Sequence, residues 1–173
     1  MEQLDIIHMN NSFDRPNWDE YFMLQAELAK LRSNCVTRQV GAVIVRNHRQ
    51  LATGYNGTPP GIKNCFEGGC KRCQLRMEGK IESGAALDRC LCNHAEANAI
   101  MHCAILGIEA GTAGAVLYTT FVPCLECTKM AITIGIKKFV TVEAGIIEMI
   151  KYLKKQKKIK KLFKSGNYNI KSL

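Results

Sequence analysis

A chain of 173 residues, 47% hydrophobic and 23% charged, carries enough apolar material for one ordinary domain and does not have the composition of a disordered polymer. No run of 18 apolar residues occurs, so no membrane-spanning helix is expected; residues 1–11, with acids at Glu2 and Asp5, lack the basic start and apolar stretch of a secretory signal, and the expected compartment is the cytoplasm. The net charge of +9 is local, because eight lysines fall between Lys151 and Lys164 and the remainder is close to neutral, which excludes a diffusely basic domain.

Residues 1–14 show no periodicity and read as a leader in which His8 is solvated. Asn17, with Glu20 three positions on and Pro16 before it, is a capping-box start. Helical spacing of Trp18, Tyr21, Phe22, Gln25, Leu28 and Ala29 predicts a helix to about residue 33, with Trp18 and Phe22 as core anchors. Residues 40–45 and 51–55 are β-rich and are joined as a hairpin by the polar segment 46–50, where His48 is expected to be solvated.

From residue 56 to residue 90 the chain is rich in Gly, Pro and Cys, apart from a short helix expected within 71–79. A loop of this length inside a compact domain must be functional or held by something. Further on, the pattern predicts a helix from Asn93 or His94 to about Leu106, a strand at 115–120, a helix over 124–134 and a strand at 138–142. An amphipathic helix at 146–157 and a short fifth strand at 159–163 complete it. Strands alternating with helices after residue 90 imply βαβ units, and the expected class is a three-layer α/β/α domain on a mixed five-stranded sheet.

Nine cysteines in a chain expected to be cytoplasmic argue for metal thiolates rather than disulfides, the more so because Cys70/Cys73 and Cys124/Cys127 are C-x-x-C pairs. His94, Cys124 and Cys127 supply three metal ligands, and Glu96 an acid that need not be one. A structural zinc site takes four protein ligands, whereas a catalytic one keeps a position open for water. Three ligands with a spare carboxylate therefore point to chemistry, in which Glu96 serves as general acid and base. Cys124 and Cys127 share a face in the first turn of a helix, where the dipole favours thiolates. His94 and Glu96 would point apart on a regular helix, so their convergence requires an irregular helix start. His-x-Glu followed by Pro-Cys-x-x-Cys is the pattern of zinc deaminases.

Several segments resemble the deoxycytidylate deaminase family, within the cytidine-deaminase-like superfamily. They are Arg15-Pro16-Asn17-Trp18-Asp19-Glu20-Tyr21-Phe22-Met23, Leu31-Arg32-Ser33-Asn34-Cys35, Val40-Gly41-Ala42-Val43-Ile44-Val45, Thr53-Gly54-Tyr55-Asn56-Gly57-Thr58-Pro59, His94-Ala95-Glu96-Ala97-Asn98-Ala99-Ile100 and Phe121-Val122-Pro123-Cys124-Leu125-Glu126-Cys127. The resemblance spans about residues 15–142. It implies a cytidine-deaminase-like domain over 15–164 with the cysteine-rich insert at 56–90, and a tail at 165–173.

It further implies hydrolysis of dCMP to dUMP for thymidylate synthesis, with zinc-activated water attacking C4 of the base and ammonia leaving. Asn56 and the backbone at Ala95 match substrate-binding positions, and Arg38 matches a basic position near the phosphate. Two plainer readings stand beside these: Asn56 as a turn asparagine, and Arg38 as an exposed, non-specific arginine. Matching the insert residue by residue selects Cys35, Cys65, Cys70 and Cys90 for a second, structural zinc. Cys73 stands as an alternative ligand, because a C-x-x-C chelate pairs it with Cys70.

Cys92, Cys103 and His102 are expected to pack in the core. Family members commonly carry a Tyr after the strand expected at 138–142; this chain reads Glu143-Ala144-Gly145-Ile146-Ile147 there, leaving Tyr118 and Phe121 as the aromatic wall or as strand packing. By the same resemblance, the segment 54–59 contributes to a dCTP/dTTP effector site in a homohexamer. The alternative activities are deamination of another free cytosine nucleotide, or of a base in RNA or single-stranded DNA drawn to the lysine run.

Overall fold

A computed structural model describes residues 15–108 and 112–141. The leader at 1–14, the helix at 146–157, the strand at 159–163, the Glu143–Ile147 segment, the lysine run and the tail lie outside the described residues. Helix α1 (Trp18–Lys30) opens on Asn17. The Asn17 Oδ1 accepts from the Glu20 N–H at 3.0 Å, and the Glu20 carboxylate accepts from the Asn17 N–H at 2.8 Å, the reciprocal pair that the sequence pattern predicts. Strands β1 (Gly41–Arg46) and β2 (Arg49–Tyr55) form the hairpin. It turns on Asn47 and His48 at φ of 50° and 56°, the positive values that a two-residue turn needs to follow strand twist. Helix α2 (Lys71–Met77), helix α3 (Ala95–Ile105), strand β3 (Val116–Thr119), helix α4 (Leu125–Thr133) and strand β4 (Lys138–Thr141) follow. None of these helices is long and apolar enough to cross a membrane.

The sheet runs β2-β1-β3-β4. Strand β1 is antiparallel to both neighbours, and β3 and β4 are parallel with α4 as the crossover, so the sheet is mixed. Alternate residues of β1 serve opposite faces. Val43 and Val45 pack with Phe22 and Ala26 of α1 and with Tyr118, while Ala42 and Ile44 pack with Ala95, Ala99 and Cys103 of α3, Leu117, and Ala131 of α4. Helices on both faces make the three layers expected from the sequence, with four strands among the described residues.

Two side chains, Trp18 and His102, differ from expectation, while His48 is exposed as expected. Trp18 is 42% exposed while Phe22 is 2% exposed, so only Phe22 anchors the core. Trp18 instead lies on the His48 ring, with centroids 4.2 Å apart and planes 7° from parallel; the hairpin turn brings His48 up against the start of α1, which local periodicity could not show. His102 is exposed, with Nδ1 2.7 Å from the Thr53 carbonyl oxygen, whereas Cys103 beside it is in the core as expected.

Two glycines let helices lie directly on the hairpin. A Cβ on Gly41 would stand 2.0 Å from the Ala26 carbonyl oxygen, and one on Gly54 would stand 2.1 Å from that of Ala95. The second contact seats the first turn of α3. Gly54→Ala is expected to shift that turn and destabilise the domain by about 1–3 kcal/mol, the usual cost of overpacking against backbone; urea unfolding of the two proteins checks this.

Candidate active site

α3 and α4 both point their N-termini at one cavity of about 340 Å³. His94 is the residue before α3, with φ −76° and ψ 153°. Its extended backbone resolves the conflict posed by the sequence: His94 stands outside the helix and Glu96 in its first turn, so their side chains need not diverge as two helical residues would. Cys124 occupies the same position before α4, with Cys127 in the first turn; the Cys127 N–H donates to the Cys124 Sγ at 3.5 Å.

The His94 Nδ1 lies 3.3 Å from the Cys124 Sγ and 3.5 Å from the Cys127 Sγ, and the donor atoms of all three are within 4.8 Å of one another. With zinc bonds of 2.3 Å to sulfur and 2.0–2.1 Å to nitrogen, a tetrahedral site separates N and S by about 3.6 Å. The three donors therefore already stand at the spacing of a zinc site, with one coordination position left for a non-protein ligand. The Cys124 thiol is drawn down to about 3, first by the hydrogen bond from Cys127 and then by the His94 imidazole, while sharing that proton pushes Cys127 up. His94 is raised by its hydrogen bond to Cys124.

Glu96 is 4% exposed. Its Oε1 lies 3.0 Å from the Thr119 Oγ1, and that hydroxyl, fully buried at the end of β3, also lies 3.1 Å from the Phe121 carbonyl oxygen, so its one proton is shared between the two acceptors. Burial pushes the carboxyl above the ordinary range, partly offset by its own backbone N–H, Thr119 and His94. Glu96 lines the cavity with His94, Ala95 and Cys124 but belongs to no metal-donor group among the described residues.

Asn56 lines the same cavity, and its backbone is not at positive φ, so it is not a turn asparagine of that kind. Its Oδ1 accepts from the Ser33 Oγ at 2.7 Å and the Val40 N–H at 2.8 Å, and its Nδ2 donates to the Arg38 carbonyl oxygen at 2.7 Å. The Asn56 side chain thus ties the end of β2 to the loop that precedes β1. Arg38 lines the cavity with its guanidinium 4.0 Å from the Phe121 ring centroid. Tyr118 faces the opposite side of the sheet and donates to the Asp19 Oδ1 at 2.7 Å, leaving Phe121 alone of the two aromatics at the cavity.

Thr119, Arg72 and Arg76 were not singled out by sequence reasoning. Arg72 is buried, with Nε and Nη2 donating to the Ala85 carbonyl oxygen at 3.0 and 2.8 Å. Arg76, one helical turn further along α2, lines the cavity without an acceptor among the described residues. The i, i+4 spacing of two arginines on the short helix was the available signal.

The cysteines of the insert gather beside this cavity. The expected set Cys35, Cys65, Cys70 and Cys90 is divided between two groups, Cys35/Cys65/Cys73/Cys92 and Cys70/Cys73/Cys90/Cys92, each with all sulfurs within 4.8 Å of one another. Cys92, expected to pack in the apolar core, sits in both. Residues two apart in extended chain point the same way, so Cys90-Leu91-Cys92 was the signal for it. All nine cysteines are free thiols.

A mixed sheet between helices, with one imidazole, two thiols and a separate buried carboxylate at two helix starts, defines a site able to hold one metal ion beside an acid that is not a ligand. The family described as the cytidine and deoxycytidylate deaminase zinc-binding region matches residues 16–143, and the chain belongs to that family. It is 46% identical over 140 residues to the deoxycytidylate deaminase of Schizosaccharomyces pombe, covering 81% of this chain and 41% of that protein. It is 40% identical over 132 residues to the deoxycytidylate deaminase of Mycobacterium phage D29, covering 73% and 94%. The chain thus spans about two fifths of the yeast relative and nearly all of the phage one. Among solved structures, the dCMP deaminase of cyanophage S-TIM5 in complex with dCMP and dUMP superposes with a TM-score of 0.56 at 34% identity, over 74% of this chain and 82% of that one.

Proposed function

We propose that this protein hydrolyses dCMP to dUMP and ammonia, using one zinc held by His94, Cys124 and Cys127. The observation that carries the reading is the buried Glu96 carboxylate, which faces the cavity beside the three donors and is not one of them. Zinc, when bound, supplies the lowered water pKa that makes a nucleophile available near neutral pH. Glu96 takes the proton from the attacking water and returns protons to the base and to the departing amine; burial raises its proton affinity, which suits it to both halves of that transfer. The Thr119 hydroxyl holds the Glu96 carboxylate in place. The water oxygen becomes the O4 of the product, and the exocyclic nitrogen leaves as ammonia. Ala95, as the first residue of α3, has a backbone N–H without an intrahelical partner, available to the substrate.

Arg38, Arg72 and Arg76 give the cavity a cationic lining that suits a nucleoside monophosphate. Arg76→Ala is expected to raise KM for dCMP at least tenfold with little change in kcat, from about 1.5–3 kcal/mol of a charge-assisted hydrogen bond. Turnover of deoxycytidine should be untouched, and equal losses on both substrates would remove Arg76 from phosphate recognition.

The cysteine-rich insert holds structural zinc, which explains how the chain between Asn56 and Cys90 keeps one conformation. Nine free thiols suit a reducing compartment such as the cytoplasm. Tyr21, Leu24, Leu28 and Leu31 form an exposed apolar stripe on and just beyond α1, which supports a homo-oligomer. By resemblance the assembly is a hexamer with dCTP and dTTP as effectors at the segment 54–59, where Gly54 also seats α3. A panel of dCMP, CMP, deoxycytidine, dCTP and a cytosine-containing oligonucleotide, read by ammonia release, tests the activity. Turnover of the oligonucleotide without turnover of dCMP overturns it.

A further inference from the structure

The geometry points to a binuclear zinc cluster in the insert, with Cys73 and Cys92 each bridging both ions, Cys35 and Cys65 completing one and Cys70 and Cys90 the other. This rests on the proposal that the insert holds structural zinc and goes beyond it in number and arrangement. Two tetrahedral zinc ions need eight ligand positions, and six thiolates fill them when two are shared. The six sulfurs divide in just this manner: two groups of four, each mutually within 4.8 Å, overlapping in Cys73 and Cys92 alone.

The separations agree with metal ligation. Cys35 and Cys73 lie 4.0 Å apart, Cys70 and Cys90 3.9 Å, and Cys73 and Cys90 3.8 Å, sulfur to sulfur. The edge of a zinc–thiolate tetrahedron with 2.3 Å bonds is about 3.8 Å. Cys92 has Cys35, Cys65 and Cys90 as thiol neighbours, and Cys73 has Cys35, Cys65, Cys70 and Cys90, so each shared residue reaches both halves. A single zinc on either group of four would leave the unshared pair of the other group, Cys70 and Cys90 or Cys35 and Cys65, without a metal.

Burial and charge fit as well. Cys65, Cys70 and Cys73 are fully buried, and Cys35 and Cys92 are 7% exposed. Six thiolates and two Zn²⁺ sum to a charge of about −2, which a buried site must offset with donors. The Leu91 N–H donates to the Cys70 Sγ at 3.3 Å, and the backbone N–H groups of Thr37 and Arg38 point at Cys35, that of Val36 at Cys65 and that of Cys92 at Cys90. The ligands come from four separate stretches: the segment after α1, the turn at Cys65, the start of α2 and the strand-like approach to His94. The cluster thus ties the whole insert to the active-site wall.

The full-length protein, purified from zinc-supplemented culture without chelator, is the sample for the test. Zinc per chain is measured by elemental analysis against amino-acid analysis, and X-ray absorption at the zinc edge reads the metal surroundings. The expected result is three zinc ions per chain with a zinc–zinc vector below about 4 Å. Two ions per chain, or three without that vector, would overturn the bridged cluster while leaving structural zinc in the insert. One ion per chain would overturn both.

Discussion

Glu96→Gln is expected to keep its zinc and its fold and to lose at least about 10²–10⁴ of kcat on dCMP, the range over which a positioned general acid and base contributes. The amide preserves the shape of a residue that is 4% exposed and still accepts from the Thr119 hydroxyl, so the loss reports chemistry rather than packing. The exchange removes only the ability to receive and return a proton. Elemental analysis alongside steady-state kinetics separates the possibilities. Unchanged zinc with lost turnover is the expected pair, whereas survival of activity would take the proton transfer away from Glu96. Loss of zinc would mean that this carboxylate supports the metal, against a geometry that leaves it outside the donor group.

The second large effect lies away from the reacting atoms. Cys73→Ala removes a fully buried sulfur that would bind the metal proposed for the insert in either the single-ion or the bridged arrangement, since it stands in both donor groups. The expected cost is at least about 4 kcal/mol, the size reserved for loss of a metal or an equivalent tie. For a domain of this size that lowers Tm by roughly 10 °C. Activity should fall with it, because Cys90 and Cys92 stand four and two residues before His94, and Asn93 is bridged to Gly57 by hydrogen bonds of 2.9 and 3.2 Å. Differential scanning calorimetry with metal analysis reads the outcome. A Tm within about 2 °C of the parent would show that buried thiols, not a metal, fill this space.

Much of the architecture is legible in the chain itself because its signals are local. The box at Asn17 and Glu20, the β-branched run at Val43–Val45 and the stops at Gly107 and Gly135 each act within a few residues, and the observed elements start and end close to them. The donor set His94, Cys124 and Cys127 is legible for a chemical reason: few residue types bind zinc, and few spacings let them converge. What the chain hides is long-range. Thr119 reads as an ordinary strand threonine until β3 is placed beside α3, which sets its hydroxyl on Glu96. Trp18 reads as core until the hairpin turn delivers His48 to its ring. The insert misleads for another reason, since a C-x-x-C rule chooses partners pairwise and has no means of expressing a ligand shared between two groups.

His94 and Cys124 each occupy the position where a helix ordinarily has a Ser, Thr, Asp or Asn to quiet its first N–H groups. The helices α3 and α4 are therefore each started by one of the proposed zinc ligands. The apolar contacts of Ala99, Cys103 and Ala131 against the sheet hold the bodies of both helices without reference to the metal. Ala95 also seats the first turn of α3 against Gly54, so what is left for the metal to fix is the two cap residues themselves, and setting those helix ends and setting the active site are a single event in the folding of the chain. Helix initiation cannot be improved at these two positions without removing a ligand of the proposed zinc.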